Sequence, residues 1–329
     1  MPLKAWLAAG LVCVFCFMNG ANDCGTMAAS VVSSRCLSPR RAALLAAVAS
    51  LVGAVLLGTA VAKMLGAGLL RLDMLPASDR LDACIATLIA SLLWAGLAWL
   101  FGMPAAYTHA LLGAWCGGFV GVAGWDAIRW DNAGVVFAVV LLTPVIGLAT
   151  TWACMRWFYG VAEELSFRTL GLFQEVETFV FAALCLGHGA NAAQKGMALL
   201  AVSSLALAPL PSQLTVPLWA RVLCALAFSL GVLCGFVGTL KTVGFRIFRV
   251  GTLHSVMSLG VSGVLNLVAT LAGLPTSAAQ INSSSLLGAG AARNELGVRW
   301  DVAMDMLAAW VLTFPVCAVV SYSLTKVLQ

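Results

Sequence analysis

One short polar signature occurs twice in this chain, each time inside a long apolar run: Gly20-Ala21-Asn22-Asp23-Cys24-Gly25-Thr26 and Gly189-Ala190-Asn191-Ala192-Ala193-Gln194-Lys195. A second pair of matching stretches follows them, residues 102–114 led by Gly102 and Pro104, and residues 273–289 led by Gly273 and Pro275. The spacing is nearly constant. The asparagines are 169 positions apart (191 − 22), the prolines 171 (275 − 104), and the pairs Trp130-Asp131 and Trp300-Asp301 are 170 apart (300 − 130). The chain is a doubled unit, and each copy puts polar residues at matching points of its apolar segments.

Composition says where such a unit lives. Apolar residues make up 62% and charged residues 9%, against about 45–50% and about 25% in soluble domains. Mean hydropathy is +1.00. A spanning helix takes about 20 residues, so 329 residues hold about 10–12 membrane segments. The apolar runs are continuous rather than alternating, which excludes a β-barrel. The expected fold is an all-α polytopic membrane protein made of two inverted-topology repeats with broken or re-entrant helices. The halves are residues 1–154 and 176–329, joined by an amphipathic segment at 155–175 that carries Glu163, Glu164 and Arg168. Five apolar segments precede residue 154, and an odd number of crossings inverts the second half. The runs at 176–187, 196–209 and 283–291 are too short to span alone, which suggests that the helices break at the two signatures.

Basic residues cluster near segment ends, among them Arg35, Arg40, Arg41, Arg156, Lys241, Arg246 and Arg249. This is the pattern of loops kept on the cytoplasmic side, and the partner it implies is the lipid bilayer. No continuous basic soluble surface is present, so nucleic acid is excluded as a partner. The 11 cysteines are scattered through apolar segments. Only Cys13 and Cys16 form a C-x-x-C, without the second pair that a metal or redox site would need. Neither H-E-x-x-H nor G-x-S-x-G occurs, which argues against an enzyme. No cofactor or resident metal is expected.

The polar residues point to ion handling. Glycine and asparagine let a helix stop and restart, and the freed N–H groups at a restart attract anions. A carboxylate in hydrocarbon, Asp23, is a candidate for a coupling cation or proton. Lys195, at the position equivalent to Thr26, must pair or line a water-filled cavity. It could meet an anion or neutralise Asp23. Behind the prolines stand Thr108 and His109 in one copy, and Thr276, Ser277, Gln280, Asn282 and Ser283 in the other. Such hydroxyls and amides can hydrogen-bond an oxyanion. Abundant donors with one carboxylate and one ammonium suit an anion symporter better than a channel.

At these residues the chain resembles the inorganic phosphate transporter (PiT) family, whose halves each carry a Gly-Ala-Asn-Asp signature and a later proline-led segment. The segment His188 to Met197 is similar to the bacterial form with Gln-Lys in its second signature, and Lys241 to Gly244 and residues 299–315 also match. The resemblance implies import of inorganic phosphate coupled to H⁺ or Na⁺, in the plasma (inner) membrane of a bacterium, and is compatible with a homodimer. Carried over, Asn22, Asp23 and Asn191 would hold the coupling ion. Asn22, Thr26, Thr108, His109, Asn191, Gln194, Lys195, Ser277 and Ser283 would lie at or beside the anion. The chain departs from the pattern at Ala192, where the family has aspartate, at Thr26, at Ala105-Ala106-Tyr107 and at Ala279-Gln280. These changes keep sulfate, or a related oxyanion, as an alternative substrate. They also admit a non-transporting paralogue or sensor.

Overall fold

A computed structural model describes residues 2–100, 106–161, 170–205, 214–235, 250–293 and 298–329. Gly102, Pro104, Glu163, Glu164, Arg168 and the stretch 241–249 lie outside the described residues.

The apolar runs form helices because a backbone in hydrocarbon must satisfy its own polar groups. Among the described residues there are eleven: α1 Pro2–Ser33, α2 Pro39–Leu56, α3 Ala60–Lys63, α4 Ala77–Leu100, α5 Tyr107–Ala123, α6 Trp130–Val161, α7 Leu170–Ser204, α8 Leu218–Cys234, α9 Thr252–Leu271, α10 Ala278–Arg293 and α11 Trp300–Leu328. Six of them (α1, α2, α4, α6, α9 and α11) are long and apolar enough to cross a membrane. Large apolar side chains such as Trp6, Leu56, Val145, Phe179, Val268 and Val319 face outward, while Asp23, His188, Asn191 and Lys195 are buried. This polarity suits a lipid surround.

The repeat is visible element by element. The Trp-Asp pairs each open a helix, α6 at Trp130 and α11 at Trp300, where an acidic residue in the first turn favours the helix dipole. The proline-led stretches lead into the short helices α5 and α10. Contacts between the halves come in matched pairs: α5 packs on α11 as α10 packs on α6, and α1 packs on α8 as α2 packs on α7. The two halves are therefore interlocked.

Helices α1 and α7 run antiparallel. Ser34, just past the end of α1, donates to Glu177 Oε1 near the start of α7 at 2.5 Å. Asp23 faces His188, and Cys16 faces Gly196. Numbers rise along one helix as they fall along the other, which is what inverted repeats require.

One expectation is corrected. The signatures do not break their helices: α1 runs unbroken through residues 20–26, and α7 through 189–195. The runs 176–187 and 196–209, expected as separate short segments, share α7 up to Ser204. Residues 155–161 continue α6, and 170–175 open α7. The signature glycines serve packing instead. A methyl group at Gly20 would lie 2.1 Å from the Phe228 carbonyl oxygen, and one at Gly189 would lie 2.3 Å from the Ser50 Cα. Glycine lets the backbones approach, as small residues do between membrane helices, and this outweighs its helix cost of about 1 kcal/mol.

Candidate anion and coupling-ion site

The helix break falls at the proline-led segment. Along α9 a polar stripe recurs every fourth residue, which puts it on one face. Ser262 Oγ donates to the Ser258 carbonyl, Asn266 Nδ2 to that of Ser262, and Thr270 Oγ1 to that of Asn266. The helix then stops at Gly273, whose φ of 75° suits glycine. Leu274 N–H closes back on the Ala269 carbonyl at 2.8 Å, in the manner of a Schellman end. Residues 274–277 belong to no helix. The Ser277 carbonyl accepts the Ile281 N–H at 3.0 Å, which starts α10.

Asn191 on α7 ties down this break. Its Nδ2 donates to Thr270 Oγ1 at 3.0 Å and to the Leu274 carbonyl at 3.1 Å, and its Oδ1 accepts the Thr276 N–H at 3.1 Å. Thr276 Oγ1 donates to Asn266 Oδ1 at 3.0 Å. Sequence reasoning missed Asn266 and Thr270, although their four-residue spacing with Ser258 and Ser262 in an apolar helix was a readable signal.

Lys195 reaches the same place. Its Nζ donates to Thr108 Oγ1 at 2.6 Å and to the Thr276 carbonyl at 2.9 Å, and Thr108 Oγ1 donates to that same carbonyl at 2.7 Å. The ammonium is 2% exposed. An ammonium has three donors, and the described residues take up two of them. Thr108 is in the first turn of α5, and Thr276 just precedes α10. The two electropositive helix starts are thus brought together around one buried cation. His109 and Gln280 meet nearby, Nε2 to Nε2, at 3.4 Å. Ser277 is buried at the entry to α10, and Ser283 is fully buried with its hydroxyl lacking a partner among the described residues.

The α1 side is different. Asp23 Oδ2 lies 3.1 Å from His188 Nε2, and Asp23 Oδ1 accepts from Asn22 Nδ2 at 3.2 Å. Both Asp23 and His188 are buried. Lys195 does not pair with Asp23, contrary to one of the two roles expected for it. The approach is a contact by distance only, since neither nitrogen of His188 makes a hydrogen bond among the described residues. Thr26 is not drawn into the cluster: its hydroxyl donates to the Asp23 carbonyl on its own turn at 2.9 Å. Gln194 also points elsewhere. Its Oε1 accepts the Val61 and Ala62 N–H groups at 2.8 and 3.2 Å, which caps the start of α3. The structure therefore gathers Thr108, Asn191, Lys195 and Ser277 at one junction and Asn22, Asp23 and His188 at another. His188 belongs with the charged residues.

A model of the phosphate transporter family matches residues 19–170 and 159–321. The chain is 31% identical to a protein of Rhizobium meliloti described as "Probable low-affinity inorganic phosphate transporter", over 96% of this chain and 94% of that one. It is 30% identical to a protein of the same description from Bacillus subtilis, over 92% of this chain and 91% of the relative. In fold it is similar to a solved structure titled "The sodium-dependent phosphate transporter", with a TM-score of 0.90, 19% identity and 99% of both chains covered. On the family match, the chain belongs to the phosphate transporter family.

Proposed function

We propose that this protein is a secondary active symporter that imports inorganic phosphate, with no chemical step on the substrate. The observation that carries this reading is Lys195, a buried ammonium held between the starts of α5 and α10 by Thr108 and the Thr276 carbonyl. It offers a further N–H where two helix dipoles are positive, and that combination suits a dehydrated oxyanion. Asn191 supports the arrangement by fixing the break from which α10 starts. The buried hydroxyls of Ser277 and Ser283, at the start of α10 and within it, are further candidate donors.

The coupling ion in this reading is the proton. Asp23 already has His188 Nε2 3.1 Å from one oxygen, which suits it poorly to wrapping a hard cation in oxygen ligands. Family membership and the descriptions of the relatives support phosphate. The bilayer is the plasma (inner) membrane of a bacterial cell, and a homodimer is compatible with this placement.

The test is uptake of radiolabelled phosphate and sulfate by proteoliposomes, first under an inward proton gradient and then under an inward sodium gradient. Phosphate should accumulate under the proton gradient, and a protonophore should abolish accumulation. Accumulation of sulfate alone would keep the mechanism and replace the substrate. Accumulation driven only by sodium would remove proton exchange from the Asp23–His188 pair.

A further inference from the structure

Glu177, near the start of α7, is fully buried. It forms no ion pair among the described residues, and its Oε2 has no hydrogen-bond partner among them. A carboxylate shut away from water without a cation is costly. In a membrane protein such a group is a functional candidate. The other half shows that the fold does not need it. The position equivalent to Glu177 is Ala8, 169 away (177 − 8), and that of Ser255 is Ile85, 170 away (255 − 85). Ala8 and Ile85 sit in one apolar cluster with Leu81. Where the first half packs hydrocarbon, the second buries a carboxyl group, with the Ser255 side chain facing it from α9.

The surroundings can take a proton on this group, which needs no cavity. Ser34 Oγ, in contact with Glu177 Oε1, also lies 3.1 Å from the Val31 carbonyl. When the carboxyl group carries a proton and donates to Ser34, the serine hydrogen turns to Val31. The titratable neighbours are Cys36, on the turn after α1, and His254, next to Ser255, whose Nε2 lies 3.2 Å from the Tyr159 hydroxyl. Arg35, Arg40, Arg41 and Glu175 at this end are exposed.

The contact also joins the two halves, since α1 belongs to the first and α7 to the second. It lies eleven residues from the Asp23–His188 contact on both helices (34 − 23 and 188 − 177), about 16 Å at about 1.5 Å per residue. It therefore closes one end of the helix pair. Parting α1 from α7 there would bring water to the carboxyl group and favour its charged form, and closing would exclude water and favour the neutral one.

We propose that Glu177 is a second proton-binding residue of this protein, protonated while the Ser34 end of α1 and α7 is closed and ionised when that end opens. Its place in a transport cycle rests on the symport reading above, but the proton binding holds whatever anion or coupling ion is carried.

The test needs no gradient and no substrate. Infrared spectra are taken of the wild-type protein and Glu177→Gln in phosphatidylcholine nanodiscs at about pH 7, where water-exposed carboxyl groups are ionised. The wild-type minus variant difference should contain the C=O stretch of a carboxylic acid. The same band should appear when both proteins also carry Asp23→Asn. If Glu177→Gln does not fold, Glu177→Ala, which has the side chain of the equivalent position, takes its place. Hydrogen exchange at the amides of residues 31–37 then reads closure. Corrected for the intrinsic pH dependence of exchange, protection should fall at least tenfold from about pH 7 to about pH 9 in the wild type, and less than threefold in the variant. A difference spectrum showing an ionised carboxylate, or wild-type protection that ignores pH or follows the variant, would overturn the proposal. Absence of phosphate uptake in protein with the band intact would count against the symport reading alone.

Discussion

The two signature helices share a backbone role and differ in their polar wiring. On α1, Asp23 alone is shown reaching another helix, at His188, while Asn22 bonds to Asp23 beside it and Thr26 to the Asp23 carbonyl on the same turn. On α7, every polar signature side chain reaches another element: Asn191 the α9–α10 break, Gln194 the start of α3, Lys195 both Thr108 and Thr276. Gly20 and Gly189 nevertheless do the same job, each admitting a helix of the other half. Duplication kept what shape demands and let charge diverge. The clearest sign is Asn19, the counterpart of His188, again 169 apart (188 − 19). The counterpart of its would-be carboxylate is Ala192, and both amide atoms of Asn19 are buried without a partner among the described residues.

The comparison breaks hardest at Lys195. Lys195→Met removes the one cation at the junction of α5 and α10 and leaves Thr108 and the Thr276 carbonyl to each other. Initial phosphate uptake at subsaturating concentration should fall at least a hundredfold, about 2.8 kcal/mol at about 1.4 kcal/mol per decade. A loss below threefold would remove the ammonium from the anion site. Asp23→Asn tests the other half. It keeps the shape and the contact with Asn22 and removes the ionisable group. Accumulation should drop to equilibration, while phosphate exchange across the same liposomes persists. Concentrative uptake in this variant would free Asp23 from coupling.

The shared backbone role gives a smaller and symmetric expectation. Gly20→Leu and Gly189→Leu each force a side chain against a backbone already in contact. Overpacking costs about 1–3 kcal/mol, occasionally more, and the two variants should lower the thermal midpoint in detergent by similar amounts. A harmless Gly189→Leu beside a crippled Gly20→Leu would show that the packing role is not duplicated. Asn191→Leu should cost about 1–3 kcal/mol for each buried group it orphans, chiefly the Thr276 N–H. Its thermal midpoint should fall even without phosphate, which a residue serving only the ligand would not show.

Much of this architecture can be read from the residues alone. The 169–171 spacing gives the doubling, and the Trp-Asp pairs mark the starts of α6 and α11. The prolines stand three residues ahead of the short helices, Pro104 before Tyr107 and Pro275 before Ala278. Reading the signatures as helix breaks fails for a physical reason. Glycine and asparagine weaken a helix locally, but α1 and α7 are held through those turns by neighbours packed directly on the glycines. The helix starts proposed to face the anion are therefore those at Tyr107 and Ala278. Which polar groups pair was not legible either. Lys195 and Asp23 each stand in an otherwise apolar stretch, and only the packing of the helices decides that Asp23 meets His188 and Lys195 meets Thr108.

The smallest effect should come at Thr26, the position equivalent to Lys195. Its place in the signature marks it as a binding residue, yet its hydroxyl closes on the Asp23 carbonyl one turn back. Back-bonds of this kind add little to a helix and can weaken it slightly. Thr26→Val keeps the branched shape and deletes the bond. Stability should change by less than about 0.5 kcal/mol, and uptake at subsaturating phosphate should stay within about twofold. A tenfold loss of uptake with stability intact would mean that the hydroxyl turns toward the ion during transport. The polar wiring of α1 would then be less local than its resting bonds, and closer in kind to that of α7.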